Sequence, residues 1–204
     1  MTEKEKMTQG KLYIPQDTAL IRDYKRAKEL THYINTSTGE QEEERRRWYQ
    51  ELFGRLGSHA WIAPPLYCDY GFNIFAGDYL MVNYYCIFLD VCPIYMGNHI
   101  YIGPHVGLYT ALHPIDASVR NQGLEYGKPI SIGDSVWIGG HAVVNPGVTI
   151  GSRVVIGSGS VVTHDIPDDV IAVGNPCRVL RSITDEDRRY WETAAYEYWD
   201  SRKP

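Results

Sequence analysis

The sequence predicts a mainly β protein: a triangular coil of short parallel strands, with helices ahead of it and one helix behind it. Three observations predict this. From Pro129 the chain reads ISIGDS, VWIGGH, AVVNPG, VTIGSR, VVIGSG, SVVTHD, and one large aliphatic returns every six residues, at Ile132, Ile138, Val144, Ile150, Ile156 and Val162. The block is rich in Val and Ile, which suit a pleated, buried strand. It also lacks the i, i+3, i+4, i+7 spacing of an amphipathic helix.

Six residues are too few for a hairpin with its own core, so the repeat predicts a solenoid whose coils share one core. Three six-residue sides close a triangle, and residues 18 apart then stack: Ile132 on Ile150, Ile138 on Ile156, Val144 on Val162. Successive coils sit at the ordinary strand spacing of about 4.8 Å. Gly133, Gly139, Gly151 and Gly157 each follow an anchor, with Asn145 and Thr163 in the equivalent places. These residues are expected to supply tight or left-handed backbone at the corners. The same beat runs earlier through Tyr70, Ala76, Val82 and Phe88, and again through Met96, Ile102 and Leu108. Between the two sets the phase slips by two residues around Asp90 to Tyr95, which predicts a widened corner. From Leu108 to Ile132 the expected anchors are Pro114, Arg120 and Tyr126, so residues 113–129 are predicted to leave the coil as a loop.

Ahead of the coil, Thr18 to Ser37 has helix-forming composition, with Asp17 as its N-cap. Thr38 to Gly57 reads as a second helix, on which Glu43 and Arg47 are spaced to pair. Thr184 to Asp200 reads as a final helix that packs Tyr190, Trp191, Tyr196 and Trp199. The organisation predicted is a helical segment over 1–57, the coil with its inserted loop over 58–183, and a terminal helix over 184–204. The open strand edges at both ends of the coil call for caps.

Composition bounds the function. The chain has 204 residues, 44% of them hydrophobic, and a net charge of −5, which gives no general attraction to nucleic acid. No run of about 18 apolar residues predicts a membrane span. The start, MTEKEKMTQGKLY, is no signal peptide. Cys68, Cys86, Cys92 and Cys177 form no CxxC pair, which suits buried thiols in a reducing cytoplasm. Seven histidines are scattered without an HExxH motif or a Cys/His cluster, so no metal is predicted. There is no GxSxG elbow, and GSGSVV lacks the lysine of a P-loop. His113 remains. It stands where the coil gives way to the loop, and an imidazole there is suited to taking a proton from a hydroxyl.

The run LYTALHPIDASVRNQGLEYGKPISIGDSVWIGGHAVVNPGVTIGSRVVIGSGSVVTHDIPDDVIAVGNPCRVLR closely resembles the maltose and galactoside O-acetyltransferases, within the hexapeptide-repeat acyltransferases. QGKLYIPQD, NYYCIFLDVCP and GNPCRV strengthen the resemblance, which spans about residues 7–190. It implies a left-handed parallel β-helix, a homotrimer with sites between neighbouring coils, and acetyl transfer from acetyl-CoA to a sugar hydroxyl. His113 falls on the family's base. On the acceptor side it implies Asn83, Asp90, Asp69 and Glu125; the family's N-terminal aspartate falls on Pro15, with Asp17 two residues on. On the donor side it implies Trp137, Gly140, Ser158, Thr163, Arg178 and Arg181. Other readings of the same coil are a xenobiotic or serine O-acetyltransferase, a metal-dependent lyase of the γ-carbonic anhydrase type, and a silent trimeric scaffold.

Overall fold

The computed structural model, which describes residues 1–202, is a parallel β-solenoid with three faces. The first face stacks Arg55–Leu56, Ile74–Ala76, Ile94–Met96, Ile130–Ile132 and Thr149–Ile150. The second stacks Trp61–Ile62, Met81–Val82, Tyr101–Ile102, Trp137–Ile138, Val155–Ile156 and Val170–Val173. The third stacks Leu66–Cys68, Cys86–Leu89, Gly107–Tyr109, Val143–Val144 and Val161–Val162. Ile132 pairs with Ile150, Ile138 with Ile156 and Val144 with Val162, as the repeat predicts. All six are buried in one continuous apolar core.

The repeat glycines do a different job from the one expected. Left-handed backbone falls three residues past the anchors, at His99, His105, Ser135, His141 and Arg153, and the repeat glycines themselves are not among the positive-φ residues. A Cβ at Gly139 would sit 2.6 Å from the Ser158 nitrogen, and one at Gly133 would sit 2.5 Å from Ser152 Oγ. The requirement at these positions is close approach of one coil to the next.

Coil length changes along the stack, and only at one corner. Val143 pairs with Val161, a step of 18 residues, but Tyr67 pairs with Ile87 and Ile87 with Gly107, steps of 20. The extra residues lie where the third face turns into the first, in residues 69–73 and 90–93. The slip at Asp90 was legible in the sequence; the matching one at Asp69 was not. Tyr70 therefore stands off the core stack, in a small second cluster with Met7, Tyr13, Leu20 and Val91. In the next coil the same corner releases the loop. Ala111–Leu112 and Tyr126–Gly127 pair antiparallel at its base, and its outer part carries a short helix, Ala117–Arg120.

A widened corner loses backbone ladder partners, and buried side chains replace them. Asp90, fully buried, accepts hydrogen bonds through Oδ1 from the backbone N–H of Asp69 (3.0 Å) and Tyr70 (2.9 Å), and through Oδ2 from that of Asn73 (3.3 Å). Asn73 Nδ2 donates to the carbonyls of Asp90 and Val91. Thr110 Oγ1 donates to the Leu89 carbonyl and accepts from Cys92 N–H. The corner is thus tied across three coils. Burial pushes the Asp90 carboxyl up to about 7, against the pull of the three N–H donors.

The N-terminal helices cap the first coil. Helix α1, Glu3–Thr8, begins on a capping box between Thr2 and Glu5, a T-x-x-E pattern in the sequence. Helix α2, Thr18–Thr36, has Asp17 as its N-cap, as predicted. Its Asn35 side chain accepts from Leu66 N–H (3.0 Å) and donates to the Leu66 carbonyl (2.9 Å), standing in for a missing strand. Lys28 donates to the Cys68 carbonyl. The second predicted helix is shorter than expected: a turn at Gly39–Gln41 leads into α3, Glu42–Leu52, and the chain then extends because Arg55–Leu56 must enter the first face. No Glu43–Arg47 ion pair forms among the described residues; α3 instead pairs Glu51 with Arg26 of α2. At the other end, Arg178–Ser182 folds back antiparallel on Val170–Val173 and covers the last edge. The final helix, Asp185–Asp200, forms as expected, and Tyr190, Trp191, Tyr196 and Trp199 are 64–67% exposed in the single chain, with Tyr190 edge-on against Trp191. Among the described residues no helix is long and apolar enough to cross a membrane.

Two consequences are measurable. Asn35→Ala strands both polar groups of Leu66 and is expected to lower unfolding free energy by about 1–3 kcal/mol in urea titration. Asp90 is held above its unfolded value of about 3.9, so the stability it contributes is fully present at low pH and is lost as pH rises from about 4 to about 7. Asp90→Asn is expected to melt earlier than wild type at pH 5, yet to lose less on moving to pH 8. Parallel pH trends for the two proteins in thermal melts would show that Asp90 does not titrate in that window.

Candidate active site

The widened corner makes a cleft of about 560 Å³. Asp69 and Tyr70 come from the first widening, Leu89 and Val91 flank the second, and Ala111, His113 and Glu125 come from the two ends of the loop. The fourth wall is N-terminal: Tyr13 and Pro15 from the segment before α2, then Ile21, Tyr24 and Lys25 from α2 itself. His113 follows directly on Ala111–Leu112, so its backbone is fixed by the strand pair at the base of the loop, and it lines the cleft. Pro114 and Ile115 leave the coil just beyond it, stapled by Arg120, which donates to both carbonyls.

Two carboxylates face the same space. Asp69 is half-buried, and burial raises its pKa, with the Lys28 ammonium pulling back and Glu125 adding to the rise. Glu125 Oε2 accepts a hydrogen bond from the buried Tyr13 hydroxyl at 2.7 Å. Tyr13, and not His113, is thus the hydrogen-bond partner of the Glu125 side chain among the described residues.

A second concavity, about 450 Å³, lies at a different corner, where the second face turns into the third. Trp137, Gly140 and Ser158 line it with Met81, Asn83 and Tyr101. Trp137 is 56% exposed, a flat apolar surface. A Cβ at Gly103 would sit 2.5 Å from the Gly140 nitrogen, so bare backbone forms the groove floor. The third face separates groove from cleft, and the two share no lining residue.

Several predicted residues are placed otherwise than expected. Asp90 does not face the cleft: both oxygens are turned inward onto backbone N–H groups, because the widened corner needs them. Asp17 lines neither space; its Oδ1 caps α2 at Ala19 and Leu20 N–H. Asn83, expected beside the acceptor, lies on the groove wall away from His113 of the same chain. Thr163 stands at the far end of the third face, against His164 Nδ1 at 2.8 Å, not in the groove. Arg178 is on the closing hairpin and donates to the Cys177 carbonyl. Arg181 shares the outward row of Trp137, through Val155 and Ile171, but its guanidinium fork is closed on Asp187 at 2.6 and 2.9 Å. Among the described residues, no group of three His, Cys, Asp or Glu is placed to hold a metal.

The sequence reading missed Tyr13, Ile21, Tyr24 and Lys25. The last three were signalled by i, i+3, i+4 spacing on α2, which puts them on one helix face. Tyr13 carried no local signal.

Comparison with known proteins places these features. The maltose acetyltransferase hexapeptide capping motif matches residues 6–57, and the bacterial transferase hexapeptide repeat matches residues 129–164. Galactoside O-acetyltransferase of Escherichia coli is 40% identical over 191 residues, covering 94% of each chain. The Lactococcus lactis enzyme of the same name is 37% identical, covering 89% of this chain and 88% of its own. Among solved structures, a maltose O-acetyltransferase from Clostridium difficile superposes with a TM-score of 0.88 at 49% identity, over 90% of this chain and 98% of that one. A galactoside acetyltransferase in complex with coenzyme A gives 0.89 at 40%, over 92% and 94%. The helices that cap the coil, the coil itself and the loop at its wide corner are thus shared along nearly the whole chain, and the protein belongs to the maltose and galactoside O-acetyltransferase family of hexapeptide-repeat acyltransferases.

Proposed function

We propose that this protein transfers acetyl from acetyl-CoA to a hydroxyl of a sugar, with His113 as the general base. The observation that carries the proposal is the cleft itself. It sets an exposed imidazole on a fixed strand end, with the carboxylates of Asp69 and Glu125 ready to accept hydrogen bonds from neighbouring sugar hydroxyls. His113 takes the proton of the acceptor hydroxyl as its oxygen bonds to the thioester carbonyl carbon. The carbon–sulfur bond breaks, and the imidazolium returns that proton to the departing thiolate. Direct attack needs no acyl-enzyme, and a backbone N–H of the groove is the donor for the carbonyl oxygen.

The groove fits the donor. Trp137 offers a face for the pantetheine arm, and bare backbone at Gly139 and Gly140 allows close approach. Support comes from the relatives solved with coenzyme A. Because groove and cleft stand at different corners of one chain, we propose that they meet between copies in a homotrimer. The groove of one copy, with its Asn83, then faces the His113 cleft of the next, and the exposed aromatic row of the second face is covered.

His113→Ala is expected to lower kcat by about 10²–10⁴-fold with acetyl-CoA and a panel of glucose, maltose and galactosides. A loss under about tenfold would remove His113 from the role of base. Trp137→Ala is expected to raise KM for acetyl-CoA about tenfold while leaving KM for the sugar unchanged. An effect on the sugar alone would move the donor away from this groove.

A further inference from the structure

The loop reaches far from the coil, with Ile115 92% exposed at its start. Its outer residues bond mainly to one another: Asp116 caps the short helix, Arg120 staples Pro114 and Ile115, and Gln122 donates to Ser118. Beyond the paired base at Ala111–Leu112 and Tyr126–Gly127, the hydrogen bonds that tie residues 114–125 to the rest of the described chain all run to Tyr13. Tyr13 N–H donates to the Glu125 carbonyl (2.9 Å), Glu125 N–H donates to the Tyr13 carbonyl (3.1 Å), and the Tyr13 hydroxyl donates to Glu125 Oε2 (2.7 Å).

Tyr13 is itself held firmly. It is 1% exposed in the cluster with Met7, Leu20, Tyr70 and Val91. Upstream, Gly10 lies so close to Gly127 that a Cβ would sit 2.7 Å from its carbonyl oxygen, and Cys92 Sγ donates to the Met7 carbonyl. Downstream, Ile14 N–H donates to Glu3 Oε2, and Lys4 pairs with Asp23 of α2 at 2.6 Å. Burial and the neighbouring Glu125 carboxylate raise the Tyr13 phenol, so it stays a hydrogen-bond donor.

We infer that Tyr13 is a positioning residue for the acceptor: the N-terminal segment is a strap that fastens the loop and aims the Glu125 carboxylate into the His113 cleft. The phenol occupies Oε2, fixes the carboxylate plane and leaves Oε1 for an acceptor hydroxyl. This rests on the acetyl-transfer reading of the cleft. It makes acceptor affinity depend on a residue more than a hundred positions from the loop, on a segment outside the coil.

Tyr13→Phe removes one hydroxyl and keeps the ring, so the buried cluster stays filled. Two readouts test the strap. In hydrogen exchange, amides around Gly123 to Tyr126 are expected to exchange several-fold faster in the variant, with coil amides unchanged. In kinetics, KM for the sugar is expected to rise about tenfold, the size of one charge-assisted hydrogen bond, with KM for acetyl-CoA unchanged. In a Glu125→Ala background the same Tyr13→Phe change is expected to add less than about twofold, because the partner is already gone. Unchanged loop exchange, or an equal Tyr13→Phe effect with and without Glu125, would overturn the inference. An inactive wild type would overturn the acetyl-transfer reading instead, and the exchange experiment would still judge the strap.

Discussion

A carboxylate buried without a cation holds this structure's one irregular corner in shape. Asp90 gives its two oxygens to three backbone N–H groups that lost their ladder partners when the coil lengthened. An unpaired buried amide costs about 1–3 kcal/mol, so a corner with three of them would not keep its shape unaided. Burying the carboxylate also costs energy, which is why its pKa rises toward neutrality. Asn73 and Thr110 complete the exchange by tying the loose carbonyls. Among the described residues these are three of the five buried polar or charged side chains, and they sit together at the widened corner. The cleft is therefore a consequence of coil length: two residues added at one corner, twice, and then a loop at the same corner.

The groove obeys the opposite logic. Where the second face meets the third, the coil keeps its six-residue sides, and the residues after the anchors are Asn83, Gly103 and Gly139. Small residues let the coils touch and leave backbone exposed beside Trp137. Regular repeat makes the groove; departures from repeat make the cleft.

This difference decides what was legible in the sequence. The regular coils could be read residue by residue, down to the pairing of Ile132 with Ile150, because period and side-chain volume alone set the register. The loop was legible as a gap in the same beat. The slip at Asp90 showed for the same reason, while its twin at Asp69 was masked by Tyr70 and Gly71, which imitate an anchor and its glycine. Asp90 was read as an acceptor ligand because motif resemblance fixes position along the chain and not the direction of a side chain. Its direction follows from three N–H groups that only the folded corner brings together. Trp137, Gly140 and Ser158 were legible together because all three sit in register; Thr163 sits in register too, but at the other end of a face.

The N-terminal segment belongs to the same account. A parallel coil cannot close its own first edge, so some other element must satisfy it. Asn35 and Lys28 do so from α2, which fixes that helix against the third face beside the widened corner. Once α2 is there, its Ile21, Tyr24 and Lys25 become a wall of the cleft, and the chain leading into it must cross the corner where the loop departs. Tyr13 lies on that crossing. The contact between Tyr13 and Glu125 is thus a product of two separate demands, a cap for an open edge and an anchor for a long loop, met by one passage of chain over the corner that carries His113.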